Sequence, residues 1–164
     1  MDLANLSRLL WREREMLDTL LFKLHEQQLL LMAGHSEWLP RAGREIDAVL
    51  QRIGEIELRR ALEFETAATG LGLQPNPSLR VLAATAPEPW GHLLEEHHRA
   101  FIALAARIQQ VSDANRELAA TAMRATDAII ESMEGGRRAP ETYVPSGRVE
   151  VPHRRRAALV DEEM

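Results

Sequence analysis

The amino-acid sequence predicts an all-α protein, an elongated antiparallel three-helix bundle or coiled coil with a flexible C-terminal tail. Hydrophobic residues make up 45% of the 164 residues but aromatic residues only 4%, so the apolar content is mostly aliphatic and suits packed helices. Apolar residues recur at spacings of three and four over long segments. Prolines and glycines concentrate between residues 70 and 90 and after residue 134, where they separate and end the helical segments.

The first predicted helix covers about residues 2–33. Its apolar residues lie on one face, as expected for an amphipathic helix, and Gly34 supplies a stop. These residues are Leu3, Leu6, Leu10, Leu17, Leu20, Leu24 and Leu31, with Leu9, Met16, Leu21 and Leu30 widening the face.

The second predicted helix covers about residues 37–69, where charged residues separate the apolar positions. The short link between the first two helices favours an antiparallel hairpin. The apolar series consists of Leu39, Ile46, Val49, Leu50, Ile53, Ile56 and Phe64.

Residues 70–89 have the composition of a loop, because proline lacks a backbone donor and glycine costs helix stability. Within this loop, residues 78–85 are expected to form a short helical turn with Ser78 at its N-cap. The breakers are Gly70, Gly72, Pro75, Pro77, Pro87 and Pro89.

The third long helix is predicted from about residue 89 to residue 134, with Pro89 in the first turn. Its apolar seam alternates in steps of four and three, the heptad pattern of a helix that packs along partner helices. The polar Asn115 on this seam is interpreted as a determinant of register. The seam residues are Trp90, Leu94, His97, Phe101, Leu104, Ile108, Val111, Asn115, Leu118, Ala122, Ala125 and Ile129.

The last segment, residues 135–164, begins at Gly135-Gly136 and has no apolar period. Such a segment buries too little surface to offset its ordering entropy, so it is expected to be a disordered tail beside a helical domain of residues 1–134. Residues 154–160, an arginine triplet followed by Ala and aliphatic residues, are expected to become helical only on a partner.

Composition limits the possible functions. The net charge of -5 argues against nucleic-acid binding, and the absence of cysteine excludes disulfides and thiolate chemistry. No signal peptide and no stretch of about 18 apolar residues is present, so we expect a cytosolic protein without membrane insertion.

No enzymatic motif stands out, and we expect neither catalysis nor a cofactor. A dinuclear metal site in a helical bundle needs two Glu-x-x-His pairs and further glutamates. Glu95 and His98 form one such pair, but the other, Glu150 and His153, lies in the proline-rich tail. A metal-binding bundle enzyme is therefore the less favoured alternative, and no serine nucleophile or phosphate-binding loop is recognisable.

Several segments together resemble the FlgN-type flagellar export chaperones. They span nearly the whole chain, and the last one is similar to the tyrosine-to-glycine signature that follows the final helix of that family. The segments are residues 9–17, 20–24 and 26–31, Trp38-Leu39, residues 44–50, Leu71-Gly72-Leu73, residues 87–90, residues 115–118 and residues 143–147.

The resemblance implies a cytosolic chaperone that binds the C-terminal helical region of hook-filament junction proteins. It would prevent their premature assembly and bring them to the export gate of the flagellar type III apparatus, without a nucleotide or metal. It places the gate contact at Tyr143 and the substrate contact on the last helix and the tail. The predicted partner-binding residues are Tyr143, Ile108, Val111, Leu118, Ile129, Ile130, Met133, Leu159 and Val160.

The same apolar surplus has a second interpretation from the residues alone. Self-association into a larger bundle would bury it equally well, so a homo-oligomeric structural coiled coil stays open as the alternative.

Overall fold

The computed structural model describes residues 3–135, which are helical apart from short connections. Helix α1 spans Leu3–Ala33, α2 spans Leu39–Gly70, α3 spans Leu79–Thr85 and α4 spans Trp90–Gly135. One turn of 3-10 helix, Ser36–Trp38, connects α1 to α2. The all-α fold predicted from the sequence is confirmed, and no strand occurs within the described range.

The chain divides into two units, Met1–Arg124 and Ala125–Met164. The first unit holds α1, α2, α3 and most of α4, and the described part of the second is the remainder of α4. The tail predicted for residues 135–164 lies outside the described residues except for Gly135.

Helices α1 and α2 both end at a glycine in the left-handed region. Gly34 has φ +73° and Gly72 has φ +68°, a conformation that a side chain disfavours. After Gly34, the His35 N–H donates to the Leu30 carbonyl at 3.0 Å. After Gly72, the Leu73 N–H donates to the Ala68 carbonyl at 3.0 Å. Both ends are therefore Schellman motifs, which satisfy carbonyls that the last turn leaves open.

Two groups of buried apolar residues hold the helices of the first unit together. The first group joins the start of α1, the end of α2, α3 and the start of α4. The second joins the later part of α1, the earlier part of α2 and the middle of α4. The first group is Leu3, Leu6, Leu10, Phe64, Ala67, Ala68, Leu82, Ala83 and Leu94, and the second is Leu20, Leu21, Leu24, Val49, Ile53 and Val111.

The composition of these groups gives the helix directions. Since the start of α1 packs with the end of α2, these two helices are antiparallel. Since the start of α4 packs with the start of α1, and Val111 with the later part of α1, α4 runs parallel to α1. Within the first unit, this is the up-down-up order of a three-helix bundle with α3 packed at one end.

Helix α3 covers the end of the first buried group with Leu82 and Ala83. It begins at Ser78, whose hydroxyl accepts a hydrogen bond from the Val81 N–H at 3.3 Å, as expected for an N-cap serine. The helical turn expected at residues 78–85 corresponds to this element.

Two polar side chains on the α4 seam are buried between α4 and α1. His97 lies 3.5 Å from the Ser7 hydroxyl and 3.4 Å from an Arg14 nitrogen. Asn115 donates from its side-chain amide to the Leu24 carbonyl at 2.8 Å. Because both contact particular groups on α1, they favour one alignment of the two helices.

A buried ion pair lies between α1 and α2. The Glu13 carboxylate is 2.7 Å from the Arg60 guanidinium, although the contact lacks the alignment of a hydrogen bond. Burial raises the pKa of the Glu13 carboxyl, and the charge of Arg60 acts in the opposite direction. Burial of this carboxylate therefore opposes folding at neutral pH, and Arg60 offsets part of that cost.

Removing the two partners is expected to have unequal effects. Arg60→Ala leaves the Glu13 carboxylate buried without a cation, so we expect a loss of about 1–2 kcal/mol in the free energy of unfolding. Glu13→Gln removes the charge that needs compensation and is expected to cost less than about 1 kcal/mol. Urea unfolding at pH 7 measures both. The exposed neighbour Arg59→Ala is the control, and a similar stability of Arg60→Ala and Arg59→Ala would contradict the prediction.

Candidate partner-binding surface

The last described turns of α4 carry large apolar side chains in solvent. Every residue from 125 to 134 is exposed, yet this stretch includes Ile129, Ile130 and Met133, which are 61%, 48% and 67% exposed. Successive residues of an α-helix are rotated by about 100°, so positions i and i+3 or i+4 share a face. Ile129, Ile130 and Met133 therefore form one continuous surface, called here the α4 stripe.

The two sides of the α4 stripe differ. On one side, Asp127, Glu131 and Glu134 follow each other at spacings of four and three, so their carboxylates form one row. On the other side lie the small residues Ala128 and Ser132. The α4 stripe is thus bordered by negative charge on one side and by small uncharged side chains on the other.

Three of the partner-binding residues predicted on α4 lie outside the α4 stripe. Val111 is buried in the second apolar group, and Ile108 packs against that group. Leu118 is half-buried. The side chains of Ile108 and Val111 already contribute to packing between helices, whereas those of Ile129, Ile130 and Met133 are exposed.

Tyr143, Leu159 and Val160 were also predicted as partner-binding residues. They lie outside the described residues, and their assignment stays a prediction.

Sequence reasoning missed a set of exposed apolar residues on α1. Phe22, Leu29 and Met32 are all exposed, and none was predicted to bind a partner. Their spacings of seven and three place them within an arc of about 80° on α1. Apolar residues that the predicted seam does not include were the available signal.

A cavity of about 250 Å³ lies where the loop before α3 packs on α2. Its two charged side chains already have partners inside the chain: Glu65 accepts a hydrogen bond from the Asn76 backbone, and Arg60 pairs with Glu13. The lining residues are Arg60, Ala61, Phe64, Glu65, Asn76, Pro77 and Leu79.

The Glu95 and His98 pair does not form part of a metal-binding arrangement within residues 3–135. No group of three or more potential ligand residues converges in that range. Glu95 instead accepts a hydrogen bond from Arg99, one turn later, at 3.0 Å. Also within that range, no helix has the length and apolar character to cross a bilayer.

Comparison with known proteins adds one finding. A family model described as FlgN protein matches residues 1–150, and this range includes α1 through α4. No curated protein and no solved structure matches the chain.

Proposed function

Because the chain belongs to the FlgN family of flagellar export chaperones, we propose that it binds the C-terminal helical region of hook-filament junction proteins in the cytosol. By covering that region it prevents premature assembly, and it then delivers its cargo to the export gate of the flagellar type III apparatus. Family membership supports a flagellar export chaperone in general. The junction-protein cargo and the delivery step are our proposal.

The observation that carries the proposal is the exposed α4 stripe. Three large apolar side chains within five residues of a helix are left partly in water, where each forgoes part of the roughly 1.5–3 kcal/mol that full burial provides. An amphipathic helix laid along such a surface buries apolar residues of its own at the same spacing. The α4 stripe is therefore suited to a helical segment of another protein.

The size of the α4 stripe suits a carrier that must release its cargo. Three apolar side chains give a limited burial energy, part of which is spent on ordering the bound segment. We assign additional contacts with the cargo to Leu159 and Val160 in the tail, and the contact with the export gate to Tyr143. In this arrangement the junction protein is held by several weak contacts that separate one after another.

The test replaces Ile130 and Met133 with aspartate. We expect the affinity for a C-terminal helical peptide of a junction protein to fall at least about tenfold, because aspartate in the middle of the α4 stripe has to be desolvated on binding. Isothermal titration calorimetry measures the affinity, and circular dichroism checks that the helices remain.

The control carries the same substitutions at Leu58 and Leu62 on α2, which are 70% and 68% exposed. This variant is expected to bind the peptide as the parent chain does. Equal losses in both variants would contradict the role of the α4 stripe. Absence of peptide binding by the parent chain, with light scattering showing oligomers that the Ile130 and Met133 variant loses, would instead support the self-associating coiled coil.

A further inference from the structure

We propose that the α4 stripe selects a helix with a row of lysines or arginines along one side of its apolar face. The inference rests on the proposed function and adds the charge pattern of the bound segment. It is carried by the carboxylate row next to the α4 stripe and by the absence, within residues 3–135, of an ion pair to any of its carboxylates.

The row consists of Asp127, Glu131 and Glu134. At about 100° per residue, the three positions fall within an arc of about 60° on the helix surface. All three residues are exposed, and residues 125–134 contain no lysine, arginine or histidine. This stretch therefore presents three negative charges on one side of an apolar surface.

The row is unfavourable for the helix that carries it. Like charges at a spacing of four residues repel by a few tenths of a kcal/mol, and carboxylates near a helix C-terminus oppose its partial negative charge. Helix α4 has no basic residue in its last turn. Within residues 3–135, none of the three carboxylates forms an ion pair. A cationic row on a bound helix would relieve both penalties.

The exposed apolar residues of α1 provide a contrast. Lys23, next to the exposed Phe22, pairs with Glu26 at 2.7 Å and with Glu45 at 2.8 Å. The charges beside that apolar row are already matched within the chain, so they give no preference for the charge of a partner. The α4 stripe differs from this row, because its neighbouring carboxylates form no ion pair within residues 3–135.

The small residues on the side of the α4 stripe opposite the carboxylate row restrict the charge pattern of the bound helix further. Ala128 and Ser132 allow the backbone of a bound helix to come close on that side, whereas the carboxylate row requires long cationic side chains on its own side. The bound helix is therefore expected to have its basic residues on one side of its apolar face only.

The test uses two synthetic amphipathic helices with the same apolar face. One carries lysines along one side of that face, and the other carries glutamates at the same positions. We expect the full chain to bind the lysine peptide at least about tenfold more tightly in fluorescence anisotropy. The ratio should decrease as salt is raised, because screening weakens interactions between exposed charges.

Charge reversal in the protein provides the matched test. A variant with Asp127→Lys, Glu131→Lys and Glu134→Lys is expected to prefer the glutamate peptide. A control with Asp47→Lys, Glu55→Lys and Glu117→Lys changes the net charge equally at exposed positions elsewhere. It should keep the preference for the lysine peptide, and loss of the preference in this control would overturn the proposal in favour of an effect of total charge.

The outcomes separate this inference from the proposed function. If the junction-protein peptide binds but the two synthetic helices bind equally, the charge preference is wrong and the proposed function stands. If the junction-protein peptide does not bind while the lysine helix is still preferred, the proposed function is wrong and the charge preference stands. If replacing Arg154, Arg155 and Arg156 with glutamine increases lysine-helix binding tenfold, the chain's own arginines occupy the row, and the proposal of a foreign basic helix is overturned.

Discussion

Lowering the pH from about 6.5 to about 4 is expected to reduce the free energy of unfolding by about 3 kcal/mol through His97 alone. The His97 side chain is 1% exposed. Burial, followed by the charge of Arg14, lowers the pKa of His97 from 6.5 to about 4. The unfolded chain therefore binds a proton in a range of pH where the folded chain does not.

The direction in which stability changes with pH follows from that difference in proton binding. Well above pH 6.5 His97 is neutral in both states, and its contribution to the pH dependence vanishes. Between pH 6.5 and 4 the unfolded state binds more protons, so stability falls as the pH falls. Protonation in the folded state would place a second cation 3.4 Å from Arg14, in a seam shared with the rings of Trp11 and Phe101.

The measurement is urea unfolding at a series of pH values between 7 and 4, compared with His97→Gln. The glutamine variant retains a polar side chain but cannot be protonated, so its stability should depend less on pH over this range. His92→Gln serves as the control because His92 is exposed, and it should retain the pH dependence of the parent chain. Parallel curves for His97→Gln and the parent would show that His97 does not cause the acid sensitivity.

Substituting Gly91 with alanine is expected to cost about 2–3 kcal/mol. Gly91 is buried at the start of α4, and a Cβ atom there would lie 2.9 Å from the Ala83 carbonyl oxygen and 3.0 Å from that of Ala86. Both oxygens belong to the backbone at the end of α3, so the clash is relieved only if α3 moves off the first apolar group.

Gly54→Ala is the matched control, since a Cβ at Gly54 meets nothing within 4 Å. It is expected to stabilise the chain by about 0.5–1 kcal/mol, because alanine favours the helix. Thermal and urea unfolding of both variants measure the expected loss of stability in Gly91→Ala and the expected gain in Gly54→Ala. Stabilisation by Gly91→Ala would show that α3 does not pack against α4 as described.

The sequence was most informative about α4. Its heptad pattern placed His97 and Asn115 on the packing seam, and both are buried there. It was less informative about partner binding, because the same heptad contains the buried Val111 and the exposed Ile129. Periodicity shows which face is apolar, but not how much of that face the other helices cover.

Helix lengths account for part of the difference in exposure between Val111 and Ile129. Helix α4 has 46 residues, whereas α1 has 31 and α2 has 32. The apolar pattern of α4 therefore has more turns than that of α1 or α2. A comparison of predicted helix lengths would have indicated that Ile129, Ile130 and Met133 are more exposed than Ile108 and Val111.

Contacts between particular side chains of different helices could not be predicted from the sequence, for a different reason. The Glu13 and Arg60 pair and the approach of Ser7 to His97 join residues far apart in the chain. Their partners are fixed only when the register of each helix against its neighbour is known. Glu13, Arg60 and Ser7, each taken alone, are typical of a solvated helix face.

The contact made by the Asn115 amide limits where α4 can accept an insertion or a deletion. The amide reaches the Leu24 carbonyl only while the spacing from His97, which contacts Ser7, is preserved. Deleting one heptad between the two positions would leave an apolar seam intact and still break one of these contacts. Insertions and deletions in α4 are therefore expected to be tolerated after Asn115 rather than before it, where α1 acts as a fixed template for its partner helix.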